Sequence, residues 1–342
     1  MKRLWVIFAL LMMSGCQTLG YVGQAALGHA RLMASREPIP EILASPTLDP
    51  QLAQQLQVVS QAREFAEANL FLPANGSFTY YVSLDQPFPV WNVFAAPRYS
   101  LTPLSWCFPV AGCVSYRGYF SQEAATGFAG QLASDGYDVF VAGAEAYSTL
   151  GWFNDPLTSA VLWRDNNQLR ALVFHELVHQ HYYLPGDTAF NESLASFIEQ
   201  QGLYRWHEAR GEPSTMTQYQ AQEQRQREFI DFVLGYRNRF AEMYASDAPS
   251  AARKQALQTE MREEWLGRGE SAGYQGFFAG PLNNAQLSTV GSYFDWVPAF
   301  EQLLAEESGS LRRFYARVEH FMRLPDDKRR QALNELMQLK AD

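Results

Sequence analysis

The chain has 342 residues, 47% of them apolar, and carries 27 basic against 36 acidic side chains for a net charge of −9. That is ample sequence for a globular core. The acidic balance, with no basic cluster, argues against nucleic acid or anionic headgroups as partners, and no repeat or low-complexity tract suggests a fibrous or disordered chain.

Met1-Lys2-Arg3 is a short basic start, and Leu4 to Met13 is an apolar run too short for a permanent membrane span. Ser14-Gly15-Cys16 closes it with small residues before a cysteine. The segment resembles a bacterial lipoprotein signal, with residues 1–15 removed and Cys16 lipidated; an ordinary secretory signal or an anchoring helix is the alternative. Gln17 after that cysteine points to the outer membrane, facing the periplasm. Several acyl chains make a stable anchor, because each buried methylene contributes about 0.8 kcal/mol. Without Lys2 and Arg3 the mature chain has 25 basic and 36 acidic residues, a net charge of −11, so the lipid itself must hold the membrane.

Residues 19–33 have a helical look, and Pro38, Pro40, Pro46 and Pro50 then break the chain. Leu52, Leu56, Val59, Arg63, Ala66 and Leu70 recur at spacings of three or four, which predicts an amphipathic helix over 52–69. Ser77 to Leu84 alternates and is aromatic, so it reads as a strand. Further strands are expected at 92–96 and 114–119, a helix at 123–135, and a strand at 137–142 that could continue through 144–150. Cys107 and Cys113 enclose five residues including Pro109 and Gly112. In an oxidising compartment that spacing reads as a small-loop disulfide; two zinc ligands are the alternative, but no second pair lies nearby.

The most specific stretch is His175-Glu176-Leu177-Val178-His179. Residues 167–174 lead into it without Gly or Pro, and Leu172, Phe174, Leu177 and Val178 form an apolar stripe at helical spacing. On a helix His175 and His179 project from one face, and Glu176 lies about 100° round. Two neutral imidazoles plus one carboxylate make the three-ligand set of a catalytic zinc site, with Glu176 placed as general base. Tyr182 to Asp187 contains Pro185 and Gly186 and should stop the helix. Asp187 or Thr188 can then cap a second helix over 189–202, ending at Gly202. Glu192 and Glu199 lie on nearly one face of that helix, and either acid could complete the set. His181 is out of phase with the other two and reads as a helix-end residue.

Beyond residue 202 the chain is mostly helical: 218–244 with a core stripe of Phe229, Phe232, Val233, Tyr236 and Phe240, then 251–266, a Gly-rich loop over 268–292, helices at 294–307 and 311–322, and a last one after Pro325. Strands followed by the metal helix predict an α+β fold, divided near residue 205 into a metal-binding half (16–204) and a helical subdomain (205–342).

The segment Asn191-Glu192-Ser193-Leu194-Ala195 resembles the Asn-Glu signature of thermolysin-like peptidases and of zinc aminopeptidases related to leukotriene-A4 hydrolase. By that resemblance Glu192 is the third ligand of a zincin-like metallopeptidase fold, although only twelve residues separate it from His179, fewer than in those families. Trp106 to Cys113, Tyr116 to Phe120, Ala146 to Pro156 and Phe190 to Glu192 together look like a family of bacterial lipoproteins classed as zinc aminopeptidases. The resemblance implies one Zn2+ and a peptide substrate. It also implies an oxyanion donor from downstream, for which Tyr293 ranks before Tyr274 and Tyr236, and an acid for the substrate N-terminus, for which Glu145 is the candidate. The alternatives are a zinc endopeptidase acting on envelope proteins, a non-catalytic zinc-containing scaffold, and a lipid or glycan binder using the many aromatic residues.

Overall fold

A computed structural model describes residues 20–72, 75–108, 112–149, 152–211, 213–246, 248–269, 273–290 and 295–341; the signal segment, Cys16 and Tyr293 lie outside them. The fold is mixed α and β. The first half holds α1 (20–34), β1 (Glu37–Pro38), α2 (Ile39–Leu43), α3 (Pro50–Leu70), β2 (Tyr80–Val82), β3 (Val90–Ala96), β4 (Trp106–Phe108), β5 (Gly112–Val114), β6 (Arg117–Tyr119), α4 (Gln122–Ser134), β7 (Asp138–Ala144) and β8 (Leu157–Thr158). Helices dominate the second half: α5 (Asn166–His179), α6 (Thr188–Glu208), α7 (Pro213–Ala245), α8 (Ala251–Leu266), α9 (Gln275–Ala279), α10 (Asn284–Leu287), α11 (Val297–Glu306), α12 (Leu311–Arg323) and α13 (Asp326–Ala341). Among the described residues no helix is long and apolar enough to cross a membrane.

The strands form three small sheets, ordered β1-β2-β8, β6-β3-β7 and β4-β5. In the second, β3 is central and antiparallel to both neighbours, with Val93 opposite Arg117 on one side and Val141 on the other. Helix α4 covers it, burying Ala125 and Ala129 against Val93 and Tyr119.

The largest core gathers α3, α5 and α6 with α11, α12 and α13, around Phe174, Phe190, Phe197, Phe300 and Phe314. A second core joins α7, α8, α9 and α10 around Phe229, Phe240, Trp265 and Phe278. Residue 205 lies inside α6, which buries side chains from Phe190 to His207, and the last three helices pack into the core of α5 and α6.

Four local expectations need correction. The strand expected over 77–84 is confined to Tyr80–Val82. Ahead of it Ser77 N–H donates to Asn75 Oδ1, Phe78 N–H donates to the Asp155 carbonyl, and Phe78 takes a positive φ of 58°; a turn meets the backbone's needs before any ladder can. Strand β7 ends at Ala144 and does not run on to 150. Gly202 is interior to α6 and not its end: a Cβ there would lie 2.4 Å from Phe174 Cδ2 and 2.9 Å from Leu70 Cδ1, so glycine lets α5 and α3 approach closely. The Gly-rich stretch after 267 is not all loop, since it contains α9 and α10.

Candidate metal centre

Helix α5 begins with a capping box. Asp165 accepts from the amides of Asn167 and Gln168, and the Gln168 side chain accepts from the Asp165 amide, which satisfies end groups that are otherwise left bare. The helix buries Leu169, Val173, Phe174, Leu177, Val178 and His179 and leaves His175 and Glu176 half-buried.

The turn into α6 is fixed by three side chains. Asn191, 1% exposed, donates to the Leu184 carbonyl and accepts from the Leu184 amide at 2.8 and 2.7 Å. Asp187 caps α6 by accepting from Phe190 N–H. Its other oxygen meets Arg329 of α13 at 2.8 Å, with both side chains buried. The asparagine of the Asn-Glu pair is thus a brace for the turn, and Glu192 follows directly.

The structure brings His175, His179 and Glu192 together. The two Nε2 atoms lie 3.2 Å apart, and Glu192 Oε2 is 3.3 Å from that of His175 and 3.5 Å from that of His179. Ligand atoms about 2.0–2.1 Å from a tetrahedral zinc are about 3.3–3.4 Å from one another. The three edges match that spacing, so this nitrogen and carboxylate set could hold one metal ion.

Glu199, two turns further along nearly the same face of α6, meets His175 Nδ1 at 3.1 Å. If Nδ1–H donates to that carboxylate, Nε2 keeps its lone pair for a cation. His179 is held by packing instead: its Nδ1 is buried without an acceptor among the described residues. Burial opposes charge on His175, but Glu192 and Glu199 outweigh it and raise its pKa well above the imidazole range. Burial likewise opposes charge on Glu192, but His179 and His175 hold its carboxyl well below the usual range. The cluster attracts positive charge, and a proton and a metal ion would compete for it.

Other expected residues fall in different places. Glu145 follows β7 and its carboxylate is engaged by Arg164 at 2.6 Å. Tyr236 donates to Glu264 at 2.6 Å, and Tyr274 stacks on Phe229 at 3.9 Å, both around the second core and not beside the histidines. Asn283 and Asn284 are sheet clamps: Asn283 donates to the Val139 carbonyl, and Asn284 donates to the carbonyls of Pro97 and Arg98. Cys107 and Cys113 sit opposite one another in the β4–β5 register, joined sulfur to sulfur. His181 lies beyond the last turn of α5, its ring against Tyr182.

The site also contains groups that sequence spacing does not reveal. Burial raises the pKa of Asp155 to about 6, and the Glu176 carboxylate adds to that rise; Asp155 accepts from the Thr149 amide and hydroxyl. Tyr183 stands 6.4 Å from His179, ring to ring, and also feels Glu192. Tyr116, from the link between β5 and β6, feels Glu192, Tyr183 and Glu176. In the sequence Tyr116 stands out only as the first residue of the Tyr116 to Phe120 segment that carries the family resemblance, with no role attached.

Residues 20–333 match the model of a family described as "Putative aminopeptidase", and the chain belongs to that family. No curated protein and no solved structure matches the chain.

Proposed function

We propose that the chain is a zinc-dependent aminopeptidase with a zincin-like arrangement, held by a lipid on Cys16 in a bacterial envelope, at the outer membrane and facing the periplasm. The observation that carries the catalytic part is the 3.2–3.5 Å triangle of His175, His179 and Glu192, with Glu176 on the same helix and family membership over most of the chain. Two imidazoles and a carboxylate suit zinc, which when bound would supply Lewis acidity and acidify a water. Glu176 accepts the proton of the attacking water and returns it to the leaving amine. Glu199 orients His175. The Cys107–Cys113 bridge suits an oxidising compartment, whereas the anchor rests on the sequence around Cys16 alone. The partners are a peptide and the membrane, with no nucleic acid.

Endopeptidase activity is the second reading, and Glu145 supports it. The acid expected to hold a substrate N-terminus is paired with Arg164, and an endopeptidase has no need of such an acid. Incubating zinc-loaded protein with a peptide mixture, with and without chelator, tests both. Stepwise loss of N-terminal residues is the expected product, and internal cuts would transfer support to the endopeptidase. Glu176→Gln should keep one zinc and lose about 10²–10⁴-fold in rate; a fully active Glu176→Gln protein would remove Glu176 as the base, and a wild type that binds zinc but cuts no peptide would leave the scaffold reading standing.

A further inference from the structure

The disulfide hairpin has no role in the proposed peptidase chemistry, yet it leans on the metal-bearing helices. Gly112 in β5 has φ +72°, and a Cβ there would lie 2.9 Å from Gly186 N and 3.2 Å from Pro185 C. Hairpin backbone therefore rests on the backbone of the α5–α6 turn, a contact only glycine permits. Two residues past the end of β5 comes Tyr116. The chain then enters β6, which pairs with β3. Tyr116 is thus pinned on both sides, by the bridged hairpin before it and by the sheet after it. Its ring rests beside Phe94, 5.7 Å between centroids.

Tyr116 combines two properties that seldom coincide. It is 39% exposed, yet burial is the main cause that raises its pKa, followed by Glu192, Tyr183 and Glu176. A phenol that is open to solvent and yet desolvated lines a recess. Gly112, four residues before Tyr116, lies against Gly186 and Pro185 of the turn that joins the two ligand-bearing helices, and the carboxylates the phenol feels are the candidate ligand and the candidate base, so the recess lies on the side of the triangle. The hydroxyl has no hydrogen-bond partner among the described residues. A phenol that stays protonated there has an O–H free to donate to something that enters.

We propose that Tyr116 donates a hydrogen bond to the oxyanion formed when the peptide carbonyl is attacked, and that the bridged hairpin carries it to that position. This rests on the peptidase reading. In the step concerned, the water oxygen bonds to the carbonyl carbon, a water proton passes to Glu176, and the carbonyl π pair moves onto oxygen. Collapse restores the carbonyl, breaks the carbon–nitrogen bond and sends the proton from Glu176 to the amine. Negative charge on the carbonyl oxygen exists only between these events. A donor preset in the wall facing α5 and α6 favours that state over the bound peptide. Tyr183 comes from the same turn that spaces the ligands, whereas Tyr116 comes from a separate element.

The test compares wild type, Tyr116→Phe and Tyr183→Phe, each zinc-loaded, in hydrolysis of the best peptide from the mixture. It also measures binding of a phosphinic Leu–Leu dipeptide, whose tetrahedral phosphinate copies the intermediate. Removing only the hydroxyl of Tyr116 should lower kcat by about 10²–10³, leave KM within about twofold, keep one zinc per chain and weaken the phosphinate about 10²-fold. Unchanged kcat and unchanged phosphinate affinity in Tyr116→Phe, with Glu176→Gln inactive, would overturn Tyr116 and leave the peptidase reading intact. So would the same losses in Tyr183→Phe alone. If wild type cuts no peptide, the peptidase reading falls. Phosphinate affinity then decides on Tyr116 separately, and equal binding by wild type and variant overturns it.

Discussion

Two buried ion pairs tie distant parts of the chain together, and they guard different regions. Asp187 with Arg329 sits at the start of α6, five residues before Glu192, and joins the ligand-spacing turn to α13. Lys254 of α8 with Asp138 sits at the start of β7, where Lys254 also donates to the Arg98 carbonyl and Asn284 N–H donates to Asp138. The first braces the turn that sets His175, His179 and Glu192, the candidate metal ligands, beside one another. The second fastens the helices of the second core to the rim of the β6-β3-β7 sheet. Comparable chemistry therefore serves the chemical centre in one place and a sheet edge in the other.

Breaking each pair separates the roles. Arg329→Met takes from the buried Asp187 its nearest cation, leaving Arg330 at 4.0 Å, and its cap on Phe190 N–H stays formed. Removing one member of a buried pair costs about 3–5 kcal/mol. The loss should appear as a lowered urea midpoint and, because the turn relaxes, as weaker zinc binding. Lys254→Met strands Asp138 in the same way, but burial already pulls the Lys254 pKa down against the pull of Asp138, so less favourable charge is lost. The expected cost is about 2–3 kcal/mol, the charged-group end of an unmade hydrogen bond. Zinc affinity should be unchanged. Equal zinc affinity in both variants, measured by competition with a chromogenic chelator, would erase the distinction.

Neither pair is legible in the sequence, because residues 187 and 329, or 138 and 254, carry no periodic relation. What is legible obeys short-range rules. The capping box at Asp165, the four-residue step from His175 to His179, and the Pro185-Gly186 break are all local, and they suffice to set two helices side by side. The expected bounds of the helix at 52–69 and of that at 251–266 agree closely with α3 and α8 because caps and apolar spacing coincide there. Gly202 misleads because glycine ends helices by its positive φ but serves inside them by its lack of a Cβ, and only the neighbours Phe174 and Leu70 tell the two uses apart. Tyr236 and Tyr274 mislead for a similar reason. Sequence distance from the motif says nothing about which wall of the site a tyrosine joins, and these two pack into another core. Tyr116 lies upstream, and what brings it in is the contact of one hairpin with one turn.

The smallest effect lies inside the metal side of the comparison. The two histidines are supported unequally: Glu199 takes the Nδ1 side of His175, while Nδ1 of His179 has packing alone. A carboxylate behind a ligand imidazole fixes its tautomer and raises its basicity. Glu199→Gln keeps the shape and an acceptor oxygen but removes the charge. Zinc affinity should fall by about 10–100-fold, with the urea midpoint close to that of wild type, since Glu199 is partly exposed. The charge on Glu199 also helps hold His175 protonated when no metal is bound, so its removal weakens the competing proton as well as the metal. That opposition places the expected loss near the lower end of the range at pH values where metal-free His175 holds its proton, and near the upper end once the pH has passed its raised pKa. Chelator competition across a pH series reads the difference directly. A loss of the same size across the series would mean that Glu199 acts through orientation of the ring alone, and no loss at any pH would remove it from the support of the site.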